Sequence, residues 1–272
     1  LEHNTYTGLE LQPSGRVLWT PTERQTLWGA VTRAVRTPSR VDEDITVTGL
    51  LTASPLVYAV ISGNHDLDAE TVVDVEGGYR ALMNPSLYFD IAVFSNAYDN
   101  LVDLGAPSAH TRVTDGTAYT ALVVPWINGI DGRTKGIEIA PRWQAAAPFR
   151  LSGSYSYVDL ALNAKAGNVL QLTLPALEGS TPHHRFTLQA LLTLPGGLQL
   201  DPVYRYVSER TRPFIGSYHA ADLHVAIPLG RTLQISVVGQ NLLDPHHAEW
   251  ARDPGPTVEI RRSGYVRLTW RR

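Results

Sequence analysis

Apolar and polar residues alternate with a period of two over most of this 272-residue chain. One example is the run Arg185, Phe186, Thr187, Leu188, in which polar and apolar side chains take turns. Such alternation is typical of a β-strand with one polar and one apolar face. Because helix signals are scarce, the pattern predicts eleven β-strands. They cover 7–20, 26–35, 70–81, 87–98, 134–144, 149–159, 184–194, 198–209, 218–228, 232–242 and 259–270.

The connections between these strands alternate between short and long. The short ones contain the glycine or proline that tight turns need, and they lie at 20–24, 82–85, 145–148, 195–197 and 229–231. The others are mostly long and polar, and they lie at 36–69, 99–133, 160–183, 210–217 and 243–258. Short turns at one end and long loops at the other are typical of an outer-membrane barrel. Pro141 and Pro202 interrupt predicted strands, and each predicts a β-bulge there.

Charged and aromatic residues are sorted between the two faces of the predicted strands. Charges in the central parts of the strands all take the polar face: Asp74, Glu76, Arg80, Asp90, Glu138, Arg142, Arg185, Asp201, Arg205, Asp222 and Arg267. Aromatic rings on the apolar face fall near the short turns (Trp19, Tyr79, Trp143, Trp270) or near the long loops (Tyr155, Tyr157, Tyr204, Tyr206). Two aromatic belts around an apolar band are typical of a lipid-facing barrel surface. The predicted fold is therefore all-β, an antiparallel transmembrane β-barrel portion with short periplasmic turns and long extracellular loops.

Composition narrows the functional classes. Charged residues make up only 18% of the chain, which contains no cysteine and has a net charge of -3. Low charge together with 43% hydrophobic residues argues against intrinsic disorder. The absence of cysteine excludes a disulfide scaffold and a thiolate zinc site. A slightly acidic chain offers no basic surface for nucleic acid, so we expect no nucleic-acid partner.

Several short sequence strings resemble the TonB-dependent outer-membrane receptors of Gram-negative bacteria. Each is weak alone, but they follow the order found in that family over nearly the whole chain. They are 27–40 (LWGAVTRAVRTPSR), the series Gly63, Asn64, Leu67, Glu70, Glu76, Gly78, Tyr79 and Arg80, 132–138 (GRTKGIE), 155–157 (YSY), 181–185 (TPHHR) and 239–244 (GQNLLD).

The resemblance implies the C-terminal half of a barrel of about 22 strands with a plugged lumen. In that family a plug and a TonB box precede the barrel, and neither is found in 1–272. We therefore expect the chain to be the C-terminal part of the barrel, with TonB engaged through a missing N-terminal part. The implied function is uptake of a scarce nutrient across the outer membrane, most often a ferric siderophore. Arg271 and Arg272 depart from the family, whose members usually end on an aromatic residue.

The polar residues give no sign of enzymatic chemistry. No phosphate-binding loop, nucleophile elbow or His-Glu-x-x-His string is present, so we expect no catalytic residue and no cofactor. Adjacent histidines such as His183 and His184 point to opposite faces of a strand and seldom bind one metal, so we expect no metal site. Arg205 takes the lumen face near the long-loop rim. The favoured interpretation pairs it with a lumen carboxylate such as Asp201, Glu209 or Asp222.

We expect ligand contacts to concentrate in the long loops and the upper lumen. Arginine and aromatic side chains suit the anionic groups of a metal chelate, which is the small-molecule substrate that the resemblance implies. The candidate ligand-binding residues are His65, Trp126, Arg210, Arg212 and Trp250.

Two alternatives stay open at this point. A passive porin-like outer-membrane barrel would need no plug, and only sequence upstream of Leu1 would tell the two apart. A soluble carbohydrate-binding β-sandwich also alternates polar and apolar residues, and it would partition into water rather than detergent.

Overall fold

The computed structural model describes residues 1–168, 174–251 and 255–271. Eleven consecutive antiparallel strands form one long sheet, ordered along the chain from its N-terminal to its C-terminal edge. They are interrupted in sequence by shorter strands in the long connections. The strands are β1 (Glu2–Asn4), β2 (Gly8–Glu10), β3 (Ser14–Thr22), β4 (Gln25–Arg36), β5 (Thr46–Ala53), β6 (Leu56–Ser62), β7 (Glu70–Asn84), β8 (Leu87–Leu104), β9 (Ser108–Thr114), β10 (Thr117–Ile139), β11 (Arg142–Ala146), β12 (Phe149–Ala164), β13 (His184–Thr193), β14 (Gln199–Val207), β15 (Arg210–Thr211), β16 (Phe214–Ile215), β17 (Tyr218–Leu229), β18 (Leu233–Gln240), β19 (His246–Ala251), β20 (Thr257–Arg261) and β21 (Ser263–Trp270).

The eleven strands of the long sheet confirm the eleven predicted strands. Their order is β3, β4, β7, β8, β10, β12, β13, β14, β17, β18 and β21. The first predicted strand, 7–20, is in fact divided between β2 and β3, with a break at 11–13. Two short helices, α1 (Arg40–Asp44) and α2 (Leu174–Glu178), lie in long connections. Among the described residues, no helix has the length and apolar character required to cross a membrane.

The long connections are more ordered than the polar loops that the sequence predicts. Strands β6 and β9 pair with the first half of β10, and β5 pairs with β6, to give a four-stranded extension of the sheet in the order β5, β6, β10, β9. Within it β6 runs parallel to β10, and Val57 pairs with Thr120. Smaller hairpins, β15 with β16 and β19 with β20, fold within two other long connections. Parts of the predicted loops 160–183 and 243–258, and Arg272, lie outside the described residues.

The pairing register places the predicted apolar residues of all eleven strands on one face. At the C-terminal edge, for example, Val225 pairs with Val237, which pairs in turn with Val266. Directly paired residues point to the same side of a sheet, so these three valines share a face. We call it the outer face, and we call the opposite face, which carries the central charges, the lumen face.

Neither Pro141 nor Pro202 produces a bulge, so that prediction was wrong. Around Pro141 the register with β8 is the same on both sides, since Ile139 pairs with Ile91 and Arg142 with Tyr88. Pro202 itself pairs with Leu223 in an uninterrupted register with β17. A missing N–H removes one ladder hydrogen bond, but it does not require an extra residue, and here the strand continues past the gap.

The long sheet is a single layer with two open edges. Within the described residues, β3 pairs only with β4 and β21 only with β18. The largest apolar side chains lie on the surface: Trp19 is 63% exposed, Val266 70% and Leu268 65%. Buried apolar positions are mainly small residues such as Ala30, Ala81 and Ala226. A sheet of this kind has no apolar interior, so its apolar residues need a surrounding apolar phase.

Candidate ligand-binding site

A cavity of about 360 Å³ opens at the long-loop end of β13, β14 and β17. Its lining includes three arginines, a glutamate and, on the lumen face, a tyrosine. These side chains are Arg185, Arg205, Arg210, Tyr218 and Glu249, and we call the site the arginine cavity.

Strand register explains how two of the arginines meet. Arg185 and Arg205 lie on neighbouring strands, and both take the lumen face, since Arg185 pairs with Val207 and Thr187 with Arg205. Arg205 Nη2 lies 2.9 Å from Asp222 Oδ2. The favoured sequence interpretation, in which this lumen arginine pairs with a carboxylate such as Asp222, is therefore confirmed.

Asp222 is itself held in place by a residue that the sequence interpretation did not assign. Its Oδ1 accepts a 3.0 Å hydrogen bond from the backbone N–H of Asn241. Asn241 is buried and has a φ of 54°, a left-handed conformation that asparagine tolerates better than most residues. Asn241 belongs to the 239–244 string GQNLLD. The sequence analysis used this string for the family resemblance and assigned it no structural role.

Asn241 also fixes the loop that carries β19 and β20. Its side-chain Nδ2 donates to the carbonyl of Arg261, and its own carbonyl accepts from Arg262 Nε at 3.2 Å. Arg262 Nη2 donates to the carbonyl of Leu242. Because β19 carries Glu249, these contacts connect the loop wall of the arginine cavity to the strand pair that holds Arg205.

The third arginine, Arg210, lies on β15 in the connection that follows β14. Arg210 donates through Nη2 to the backbone carbonyl of Glu249. The Glu249 carboxylate lies 3.1 Å from His247 Nε2, and the buried His247 ring stacks on Tyr218 at 4.3 Å between centroids. Within the described chain, His247 Nδ1 is buried without a hydrogen-bond partner. The cavity thus brings together three guanidinium groups and the two carboxylates of Asp222 and Glu249, so positive charge predominates.

Two of the other predicted ligand residues lie beside this cavity. Trp250 is exposed and follows Glu249 on β19. Arg212 is also exposed, and its backbone N–H donates to the carbonyl of Gly179 at 3.2 Å. Arg210, Arg212 and Trp250 therefore share one region of the long-loop end.

His65 and Trp126 belong to a different region. His65 lines a second cavity of about 640 Å³, and its Nδ1 lies 3.2 Å from Glu43 Oε2. Asn64 Nδ2 donates to the backbone carbonyl of Trp126 at 2.9 Å, which ties the two segments together. The Trp126 indole nitrogen is buried without a partner in the described residues. The five predicted residues thus form two groups rather than one site.

A charge network fixes the connection that follows β12. Lys165 Nζ lies 2.6 Å from Asp99 and 2.9 Å from Asp131, and it donates to Asn100 Oδ1 at 2.7 Å. The hydrogen bond from Lys165 is the main cause that lowers the pKa of Asp99. Burial lowers the pKa of Lys165, but its hydrogen bonds to the two aspartates outweigh burial and the net shift is upward.

Residues 2–242 match the family model described as the β-barrel of TonB-dependent receptor-like proteins. Among curated protein sequences, none matches this chain.

Solved structures with the same fold come from several bacteria. The siderophore receptor PirA from Acinetobacter baumannii aligns with a TM-score of 0.75 and 17% identity, over 98% of this chain and 41% of that one. A mutant ferric enterobactin receptor, PfeA from Pseudomonas aeruginosa, in complex with enterobactin gives 0.76 and 18% over the same shares. The ferric-catecholate import receptor Fiu from Escherichia coli K12 gives 0.68 and 17%, over 94% of this chain and 34% of that one. This chain therefore spans less than half the length of these receptors.

Proposed function

Because this chain belongs to the family of TonB-dependent receptor β-barrels, we propose that it forms part of an outer-membrane receptor for an anionic metal chelate, namely a ferric siderophore. Members of this family are transporters rather than enzymes. Uptake would draw energy from the TonB system through a part of the receptor outside this chain, in a Gram-negative outer membrane.

The arginine cavity is the observation that carries the proposed substrate class. Its three guanidinium groups offer planar pairs of N–H donors that match carboxylate and catecholate oxygens. Tyr218 adds an aromatic wall beside these donors. The cavity opens at the long-loop end, which faces outward in a receptor of this family, so a chelate from outside the cell would meet it directly.

The names of the structural neighbours agree with this chemistry. PfeA was solved with enterobactin, and Fiu is described as a ferric-catecholate import receptor. Their identity to this chain is only 17–18%, so they support the fold, and the proposed substrate rests on the arginines. Family membership favours a receptor over the porin-like alternative, and the single-layer antiparallel sheet argues against a soluble sandwich.

We also propose that residues 1–272 are the C-terminal part of a larger barrel. The two open edges at β3 and β21 would each need another strand, because unpaired backbone groups are not tolerated in a hydrocarbon phase. This chain covers only 41% and 34% of the lengths of PirA and Fiu. The remaining length is sufficient for such strands and for a plug.

The test is a binding titration of the full-length receptor with a ferric catecholate, a ferric hydroxamate and a ferric citrate complex. The variant Arg205→Gln removes one cavity guanidinium, and Arg231→Gln removes an exposed arginine from a short turn at the other end. We expect Arg205→Gln to weaken binding of the recognised chelate about tenfold to a hundredfold and Arg231→Gln to leave it unchanged. Equal affinities for all three proteins would contradict the proposed site.

A further inference from the structure

One buried histidine adjoins the arginine cavity without being part of its wall. The side chain of His247 is only 5% exposed. Its Nε2 lies 3.1 Å from Glu249 Oε1, and its ring stacks on Tyr218 with 4.3 Å between the centroids. Both of these partners line the cavity. His247 is therefore one contact away from a ligand held there.

The hairpin of β19 and β20 encloses the His247 ring. In this hairpin His247 lies opposite Ile260, and β16 with its buried Ile215 lies against β19. Nδ1 of His247 is buried, and no hydrogen-bond partner for it exists in the ranges that the structure describes. A buried polar atom without a partner is uncommon in a folded protein, so this nitrogen needs an explanation.

The two ring nitrogens of His247 have different roles. The ionised carboxylate of Glu249 can only accept hydrogen bonds, so Nε2 carries a proton and donates it to Oε1. In the neutral ring Nδ1 is then unprotonated, and it is the atom at which a further proton binds. Histidine is the side chain whose charge ordinarily changes between about pH 5 and 8. Acidification therefore converts the neutral ring beside Glu249 into an imidazolium.

The charged residues of β20 face away from this ring. Glu259 and Arg261 alternate with Ile260, so they take the opposite face of the hairpin, together with His246. His246 Nδ1 lies 3.3 Å from Glu259 Oε2 on that face. His246 and Glu259 thus form a pair that is separate from the contact between His247 and the cavity wall.

The charged groups on the cavity side keep their charge over the same pH range. Glu249 is the carboxylate that contacts the ring, and Arg210 contacts the backbone carbonyl of Glu249. Arg185 and Arg205 line the same cavity, and Asp222 is paired with Arg205. Arginine stays protonated, and aspartate and glutamate ordinarily stay ionised above about pH 5. Among these groups, His247 is the one whose charge changes.

We propose that His247 is a positioning residue that makes the chelate affinity of the arginine cavity depend on pH. When the ring is neutral, its Nε2–H holds the Glu249 carboxylate, whose negative charge opposes an anionic ligand. When the ring is protonated, the imidazolium offsets that charge, and an anion is attracted more strongly. The receptor then binds its chelate more tightly at mildly acidic pH than at neutral pH. This inference rests on the proposed function, because it concerns the same cavity.

The experiment is a binding titration of the full-length receptor at pH 5.5 and 7.5. The probe is whichever of the ferric catecholate, hydroxamate and citrate complexes binds in the titration described above. His247→Gln keeps an N–H donor for Glu249 but cannot take up a proton. Glu249→Gln removes the carboxylate that the imidazolium would offset. The matched control is His246→Gln, which alters the neighbouring exposed histidine on the opposite face of the hairpin.

We compare the ratio of the affinities at the two pH values between proteins, so that protonation of the chelate itself cancels. The ratio of the unchanged protein should exceed that of His247→Gln by about threefold, the size expected for one added charge near the ligand. His247→Gln should match the unchanged protein at pH 7.5, and His246→Gln should keep the full ratio. A purely structural role for His247 would instead lower the affinity equally at both pH values.

Glu249→Gln gives a second test that leaves the buried ring in place. It should raise the affinity at pH 7.5 about threefold and reduce the gain on acidification. Equal pH ratios for the unchanged protein and His247→Gln, or an unchanged affinity of Glu249→Gln at pH 7.5, would overturn the inference while leaving the chelate site intact. Failure of all three complexes to bind at either pH would contradict the proposed function itself.

Discussion

Arg205 and Asp222 lie on neighbouring strands of the sheet and meet through a 2.9 Å contact between Nη2 and Oδ2. Neither residue is the direct register partner of the other, because Arg205 pairs with Ala220 and Asp222 with Val203. The contact is a diagonal one on the lumen face. It leaves Arg205 at the wall of the arginine cavity, with a carboxylate that competes with any anionic ligand for the same guanidinium.

We therefore expect Asp222→Asn to strengthen the binding of an anionic chelate by a few-fold. Asparagine keeps one oxygen for the Asn241 N–H, while its NH2 group replaces the oxygen that faced Arg205, so the backbone contact is kept and Arg205 loses its carboxylate partner. The gain should shrink as salt rises, because screening weakens interactions between exposed charges. Titrations at low and high ionic strength measure both effects. The matched control is Asp90→Asn, which alters a similar pair with Arg80 elsewhere on the lumen face and should leave binding unchanged.

The two groups of predicted ligand residues should behave independently. We expect Arg210→Ala and His65→Ala to reduce chelate affinity additively if both touch the ligand, because they share no hydrogen-bond partner. Arg210→Ala and Trp250→Ala should be non-additive, since Arg210 binds the carbonyl of the adjacent Glu249. A double-mutant cycle on each pair provides the measurement. Strong coupling between Arg210 and His65 would show that the two regions act as one site.

The face assignment predicts unequal costs for arginine at neighbouring positions. Val225 and Ile235 take the outer face, so Val225→Arg or Ile235→Arg should reduce the folding free energy in lipid by about 2–4 kcal/mol. Gln234→Arg places the same side chain on the lumen face and should be tolerated. Urea titration of the folded full-length receptor in bilayers gives the comparison. Equal folding free energies for the three variants would contradict the assignment of the outer and lumen faces.

The Lys165 network predicts a pH window for the stability of the loop that follows β12. The pKa of Asp99 is lowered from 3.8, so its contribution is present above that value and is lost as the pH falls through the lower folded-state pKa. The pKa of Lys165 is raised from 10.5, so its contribution is present below that value and is lost as the pH rises through the higher folded-state pKa.

The test of this window compares the melting temperature of the unchanged protein with that of Lys165→Met. The difference should be constant between about pH 5 and 9 and should disappear in strong acid. Lys135→Met serves as the control, because its partner Asp159 lies in a separate pair. If the Lys165 difference persists unchanged at pH 2, Asp99 is not the partner that matters.

Isolated residues 1–272 should fail to form a stable monomer in detergent. The unpaired backbone groups of β3 and β21 form a template for association with other chains. Sedimentation velocity should show oligomers or aggregates. A discrete monomer whose β3 and β21 amides resist hydrogen exchange would contradict this expectation and would show that the edges close on each other.

The strands of the long sheet could be predicted because their signal is local. Each strand alternates between a polar and an apolar face, so the pattern alone gives its position and its two faces. Strands β5 and β6 were missed because they are uncharged on both faces, and because β10, the other partner of β6, is distant in the sequence. Bulges were wrongly expected at Pro141 and Pro202, because a proline reveals the missing donor but not the register around it.

The site could be predicted only in part, for a similar reason. The alternation of polar and apolar residues placed both Arg205 and Asp222 on the lumen face. The patterns of two strands were therefore enough to suggest that these residues pair. The role of Asn241 depends on its left-handed backbone and on contacts with Arg261 and Arg262. The stacking of His247 on Tyr218 depends on how a hairpin folds back over the sheet. Neither of these contacts produces a periodic pattern of residues that could be recognised in the sequence.

The parallel pairing of β6 with β10 has a consequence for the order in which the protein folds. Where a short turn joins two strands of the long sheet, the strands follow each other closely, so these hairpins can form as soon as both strands exist. Val57, in contrast, must find Thr120, with β7, β8 and β9 between them in the chain. Contacts of such high sequence separation form slowly, since the intervening loop must close first. The parallel pairing of β6 with β10 should therefore form after the hairpins on either side of it, β5 with β6 and β9 with β10.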